Sequence, residues 1–190
     1  MPSTASPYGL IPANHPSGVV RPFAMTITTG YASNIFQNSP VKIVPSSTGE
    51  GTIAVATAGD ADGFIGTFQG VEFTDSDGRR RVSNKWTAGQ VGTDVVAYVT
   101  LDPAIVYEIQ ANGTLDVDSI GKQFDYTTIT AGNTTVGISQ LMLDTGSSAA
   151  NAQLRVIGLT PGPDNAWGDN YPVVQVQISQ HQNVADKAAY

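Results

Sequence analysis

"YPVVQVQISQH", Tyr171 to His181, is the stretch that decides the fold. Val174, Val176 and Ile178 alternate with Gln175, Gln177 and Ser179. A period of two places one row on a buried sheet face and the other in water, so this is a strand. Working back along the chain, "AQLRVIGLT" (152–160) and "TVGISQLMLD" (135–144) read as two further strands. "DVVAYVT" (94–100) and "IVYEIQA" (105–111) flank Leu101-Asp102-Pro103 and predict a strand pair. "VKIV" (41–44), "TIAVAT" (52–57) and "FIGTFQGVEFT" (64–74) add three more, the last broken by glycine and therefore expected to bulge or bend. Asp75-Ser76-Asp77-Gly78 turns that strand into "RRRVSNKW" (79–86), a hairpin signal. A single helical turn is expected at 31–37. Another is expected within 115–126, capped by Asp116 or Asp118.

The count is about eight to ten short strands with no long helix and no fixed repeat, which makes the chain mainly β. A β-barrel or sandwich of short antiparallel strands is expected. Without alternating helices, doubly wound and βα-barrel folds are excluded.

The 190 residues suit one domain plus an arm, with enough chain to bury a core. Only 13% of residues are charged, against about 25% in ordinary globular domains. The net charge of −7 argues against a nucleic-acid partner, because no excess of Lys and Arg exists to replace phosphate counterions. There is no cysteine, so disulfides and thiolate chemistry are absent. Residues 1–30 lack the pattern of a secretory signal, and no apolar run approaches the ~20 residues of a membrane span; no membrane partner is expected.

Residues 1–22 read as an extended arm, within a lead-in (1–40) to a β-rich body (41–190). Five prolines fix φ and exclude both a helix interior and a central strand. Extended, such an arm reaches roughly 65 Å, enough to cross a neighbouring subunit. Tyr8, Leu10, Ile11, Val19, Val20 and Phe23 make it more apolar than disordered tails usually are. Together with His15 and Arg21 they are candidate partner-binding residues. Trp167 and Tyr171, in the polar loop "PDNAWGDNY" (163–171), form a second candidate contact.

No catalytic, cofactor or metal site is expected. His15 and His181 are the only histidines, and neither G-x-S-x-G nor H-E-x-x-H occurs. "GDADG" (59–63) and "DSDG" (75–78) lack calcium-hand spacing and read as turns. Arg79-Arg80-Arg81 beside Asp75 and Asp77 reads as a solvated hairpin tip ahead of an anion site. Glu72, Glu108 and Asp144 form a glycosidase pair only if two of them face each other across a cleft. Trp86 reads as a packing residue.

Four segments, in order, resemble the capsid decoration or cement proteins of tailed bacteriophages. They are "YGLIPANHPSGVVRPFAMTITTGYASNIFQNSPVKIV" (8–44), "GTFQGVEFTDSDGRRRVSNKWTAG" (66–89), "AYVTLDPAIVYEIQANG" (97–113) and "LRVIGLTPGPDNAWGDNYPVVQVQISQHQ" (154–182). The resemblance implies a non-enzymatic structural protein without cofactor on the outer surface of the phage capsid, assembled in the host cytoplasm. The implied partners are the major capsid protein and further copies of the chain, as a homotrimer. The arm would then clamp neighbouring capsid subunits. A carbohydrate-binding domain or adhesin on the virion surface, stacking sugars on Trp86, Trp167 and Tyr171, is the alternative.

Overall fold

Val174, Val176 and Ile178 are buried, as their alternation requires. The strand they define is a central member of one of two main sheets. This computed structural model describes residues 4–45, 51–128 and 132–184. Residues 46–50 of the turn-rich stretch "SSTGEG" (46–51), which reads as a loop between two expected strands, lie outside them, as do residues 1–3 of the arm.

The strands are β1 (Ile11–Asn14), β2 (Pro22–Met25), β3 (Ile35–Phe36), β4 (Pro40–Val44) and β5 (Thr52–Val55). There follow β6 (Gly66–Thr74), β7 (Arg80–Ser83), β8 (Lys85–Trp86), β9 (Thr93–Thr100) and β10 (Val106–Gln110). A 3-10 turn at Val117–Ser119 precedes β11 (Gln123–Phe124), β12 (Gly132–Asn133), β13 (Ile138–Ser139), β14 (Leu154–Leu159) and β15 (Val173–Ile178). The first main sheet runs β1-β10-β15-β14-β11 and the second runs β2-β9-β6-β4-β5, with β7 also on β6. Every strand pairing is antiparallel. A bridge between Thr26 and Thr52 links the two outer members of the second sheet, so that sheet rolls toward a barrel.

Each sheet has its own apolar core. Leu10, Phe64, Tyr107, Tyr126, Leu154 and Val176 fill the first. Ile53, Phe68, Val71, Trp86 and Val99 fill the second. Trp86 is fully buried, edge-on to Phe73 at 5.4 Å, which settles it as a packing residue. The cores meet at a polar seam. There the Thr100 hydroxyl lies 3.0 Å from the Tyr107 hydroxyl and accepts the Thr67 N–H at 2.9 Å. Both threonines are buried, so these bonds satisfy groups that water cannot reach.

The expected hairpin at 75–78 and the bulge in 64–74 are both present. The Gly78 N–H donates to the Asp75 carbonyl, and the β6–β9 register slips between Phe68 and Gly70. Four local expectations are corrected. Strands 94–100 and 105–111 do not pair with each other, because β9 belongs to the second sheet and β10 to the first. Leu101 packs on one core and Ile105 in the other, so burying both forces the link to cross between sheets. Segment 31–37 makes no helical turn; burial of Ile35 and Phe36 pulls it into β3, opposite Trp86 and Lys85. In 135–144 only Ile138–Ser139 is a strand, and Leu141 and Leu143 are buried from irregular backbone. The turn at 117–119 starts at Asp116 with no side-chain cap, and Asp118 pairs with Lys122 instead.

Residues 11–14 of the arm and 22–25, where the arm ends and the lead-in continues, lie along the chain's own sheets as edge strands on β10 and β9. Edge positions tolerate Pro12 and Pro22, which lack an N–H. Leu10 is fully buried in the first core. Gly9 has φ +82°, and a Cβ there would lie 2.7 Å from the Asn38 carbonyl oxygen, so glycine admits the close approach. The start of this segment is thus anchored on the chain's own first core.

Candidate interaction surface

The segment between β1 and β2 turns sharply at His15-Pro16-Ser17-Gly18, where the Gly18 N–H donates to the His15 carbonyl at 2.8 Å. The Ser17 N–H donates to His15 Nδ1 at 3.1 Å, and the Ser17 hydroxyl lies 2.6 Å from the same nitrogen. Nδ1 is therefore an acceptor, which puts the ring proton on Nε2. That nitrogen lies 3.1 Å from Asp102 Oδ2. Asp102 is itself fixed, because its Oδ1 accepts the Ala104 N–H at 2.8 Å. Serine, histidine and aspartate are thus in contact, but Ser17 and His15 close one local turn. The backbone N–H already occupies the nitrogen that a general base would need.

This turn holds the following residues on a fixed platform. Val19 is 54% and Phe23 49% exposed, both high for large apolar side chains. They flank a concavity of about 380 Å³ completed by Val20, Arg21 and Ile105. A second concavity of about 440 Å³, lined by Phe23, Met25, Val95 and Leu101, shares Phe23 with the first. The structure therefore brings together His15, Val19, Val20, Arg21 and Phe23 from the candidate set. Asp102, Met25, Val95 and Leu101 join them, unsignalled in the sequence because they come from other strands and the crossover.

The other candidates lie elsewhere. Leu10 is spent on the core. Tyr8 is half-buried; its carbonyl accepts from Asn38 Nδ2 at 3.1 Å. Burial first, then the charge of Glu108, pushes the Tyr8 hydroxyl up to about 12. Ile11 sits opposite Glu108 in β1. Trp167 is half-buried and packs against the first core. Tyr171 has φ +57°, and its carbonyl accepts from Gln110 Nε2 at 3.1 Å. Neither lines the concavities around Phe23.

The charged candidates have local partners. Glu72 is held below the usual carboxylate range by the Tyr98 hydroxyl first and Arg80 next. Asp144 accepts from Asn112 Nδ2 at 3.1 Å, and Glu108 lies beside Tyr8 in the other sheet from Glu72. The hairpin-tip arginines are balanced locally, Arg79 and Arg81 by Asp77, Arg81 also by Asp75, and Arg80 by Glu72. Lys42 pairs with Asp60 at 2.6 Å in the "GDADG" turn. Among the described residues no helix is long and apolar enough to cross a membrane.

No family model, curated protein or solved structure matches the chain.

Proposed function

We propose that this chain is a capsid decoration protein, a structural virion component. It seats the face around Val19 and Phe23 on the outer surface of a phage head and stabilises the head by bridging neighbouring major capsid subunits. Assembly as a trimer belongs to the same reading. The observation that carries it is the pair of exposed apolar side chains that follow a pinned turn, within the segment that opens the family resemblance. A rigid platform suits attachment, because little side-chain or backbone freedom remains to be lost on binding. Burying Phe23 and Val19 at a contact contributes roughly 25 cal/mol per Å² of apolar surface, and repeated copies multiply a modest single affinity. Arg21 and the His15–Asp102 pair supply a polar rim.

The test is co-sedimentation of the purified chain with heads assembled without it, followed by heating. The full chain is expected to bind and to raise the temperature at which heads rupture. A Val19→Ser, Phe23→Ser double variant should bind at least about tenfold more weakly, the loss typical of a central apolar contact. Heads that take up no protein, or a double variant that binds equally well, overturn the reading.

A further inference from the structure

The chain's two histidines, 166 positions apart, meet the same crossover. His15 holds Asp102, and His181 Nε2 lies 3.1 Å from the Leu101 carbonyl. His181 stands just beyond β15, where the C-terminal end clasps the other sheet. The Phe64 N–H donates to the Gln180 carbonyl at 3.1 Å, and the Gln182 N–H donates to the Phe64 carbonyl at 3.2 Å. The Gln182 side chain accepts the Ile43 N–H at 2.7 Å and donates to the Ile43 carbonyl at 3.3 Å. Gly63 has φ +65°, and a Cβ there would lie 2.2 Å from the Gln180 oxygen, so the clasp closes tightly against bare backbone.

The His181 ring is 2% exposed and its tautomer is fixed. The Asn183 N–H donates to Nδ1 at 3.2 Å, so the single ring proton is on Nε2 and is donated to Leu101. A second proton has only Nδ1 to occupy, and there it faces the Asn183 N–H, donor against donor. The charged groups around the ring are few. Asp102 on the crossover favours the cation. Arg155 of β14 lines the same small cavity as His181, with Gln177 and Ser179. Phe64 and Ile65 bring no charged side chain.

We propose that the C-terminal end of β15 is an acid-opened clasp. Protonation of His181 expels residues 179–184 from the junction of the two sheets. Burial pushes His181 below its usual value, against the weaker pull of the Leu101 and Ile65 backbone and of Asp102. The sign follows. The opened form binds the proton more readily than the closed one, so closure is fully favoured above about pH 6.5 and is lost as pH falls below it. Within that window the opening equilibrium rises by about tenfold per pH unit, until the closed form itself titrates.

Native-state amide exchange of the full chain at about pH 7.5 and about pH 5, corrected for intrinsic rates, reads this directly. The amides of Phe64 and Gln182 should lose about tenfold or more protection at the lower pH, while Val71 and Ala97 in the second core keep theirs. The His15→Gln variant should retain the loss, and His181→Gln should abolish it. Equal protection at both pH values, or an undiminished loss in His181→Gln, overturns the proposal. If that variant does not fold, the NMR titration of the His181 ring in the unaltered chain decides. A midpoint at or above about 6.5 overturns the clasp, and one below it upholds it.

Discussion

Strands β15 and β2 are both rich in apolar residues, yet the molecule uses them in opposite ways. β15 pairs on both sides, with β10 and β14, and buries every second side chain. β2 pairs only with β9, and three of its four residues are exposed. In β15 the apolar row is consumed by the fold. In β2 the proline and the edge position leave Phe23 facing outward, and Val19 on the preceding turn does the same. Apolar content along a sequence therefore reports stability in one place and spare binding surface in the other. The neighbours on each side of the strand make the difference.

Four experiments break or sharpen that contrast, from the largest expected effect to the smallest. Val176→Asp places a carboxylate in the first core opposite Tyr107 and should abolish folding, because a buried unpaired charge costs several kcal/mol. A cooperative native unfolding curve for this variant would show that β15 is not central. Leu10→Ala should lower unfolding free energy by about 2–5 kcal/mol, the range for a large buried aliphatic side chain. A loss below about 0.5 kcal/mol by urea titration would mean that this end of the segment is not anchored in the core.

The third experiment is an alkaline titration. The Tyr8 hydroxyl is pushed up to about 12, so the folded state resists its ionisation more than the unfolded chain does. Its contribution is fully present below about pH 10 and is lost as pH rises from there through about 12. Tyr107 and Tyr126 are raised further by burial and contribute in the same direction. Tyr8→Phe should therefore flatten part, not all, of the stability loss in this window; an unchanged pH profile would place Tyr8 in water. The smallest effect is expected from Phe23→Ser, which should shift unfolding free energy by no more than about 0.5 kcal/mol despite removing an aromatic ring. A loss like that of Leu10→Ala would mean that the ring belongs to the core and not to an open face.

The β class, the positions of most long strands and the Asp75–Gly78 hairpin were legible because they rest on local chemistry. Side-chain alternation and turn residues act within a few positions of themselves. The failures share one cause. Leu101 and Ile105 sit four residues apart and look like two sides of a hairpin, but each is claimed by a different core. Ile35 and Phe36 look like part of a helical turn until Trp86 appears opposite them. For the interaction surface, Val19, Val20, Arg21 and Phe23 could be nominated as apolar or charged residues in a proline-rich stretch. Asp102, which fixes the turn beneath them, could not, since 87 residues separate it from His15.

By itself the sequence determined that this chain is an antiparallel β protein without cysteine and with an apolar, proline-rich opening segment. Those properties follow from composition and from residues adjacent along the chain. Only the tertiary structure decided that the strands divide between two sheets, that Leu10 lies in a core while Phe23 stays outside, and that both histidines converge on one crossover. The reason is physical: burial is a property of how distant segments pack, and a side chain's own neighbours in sequence carry no record of it.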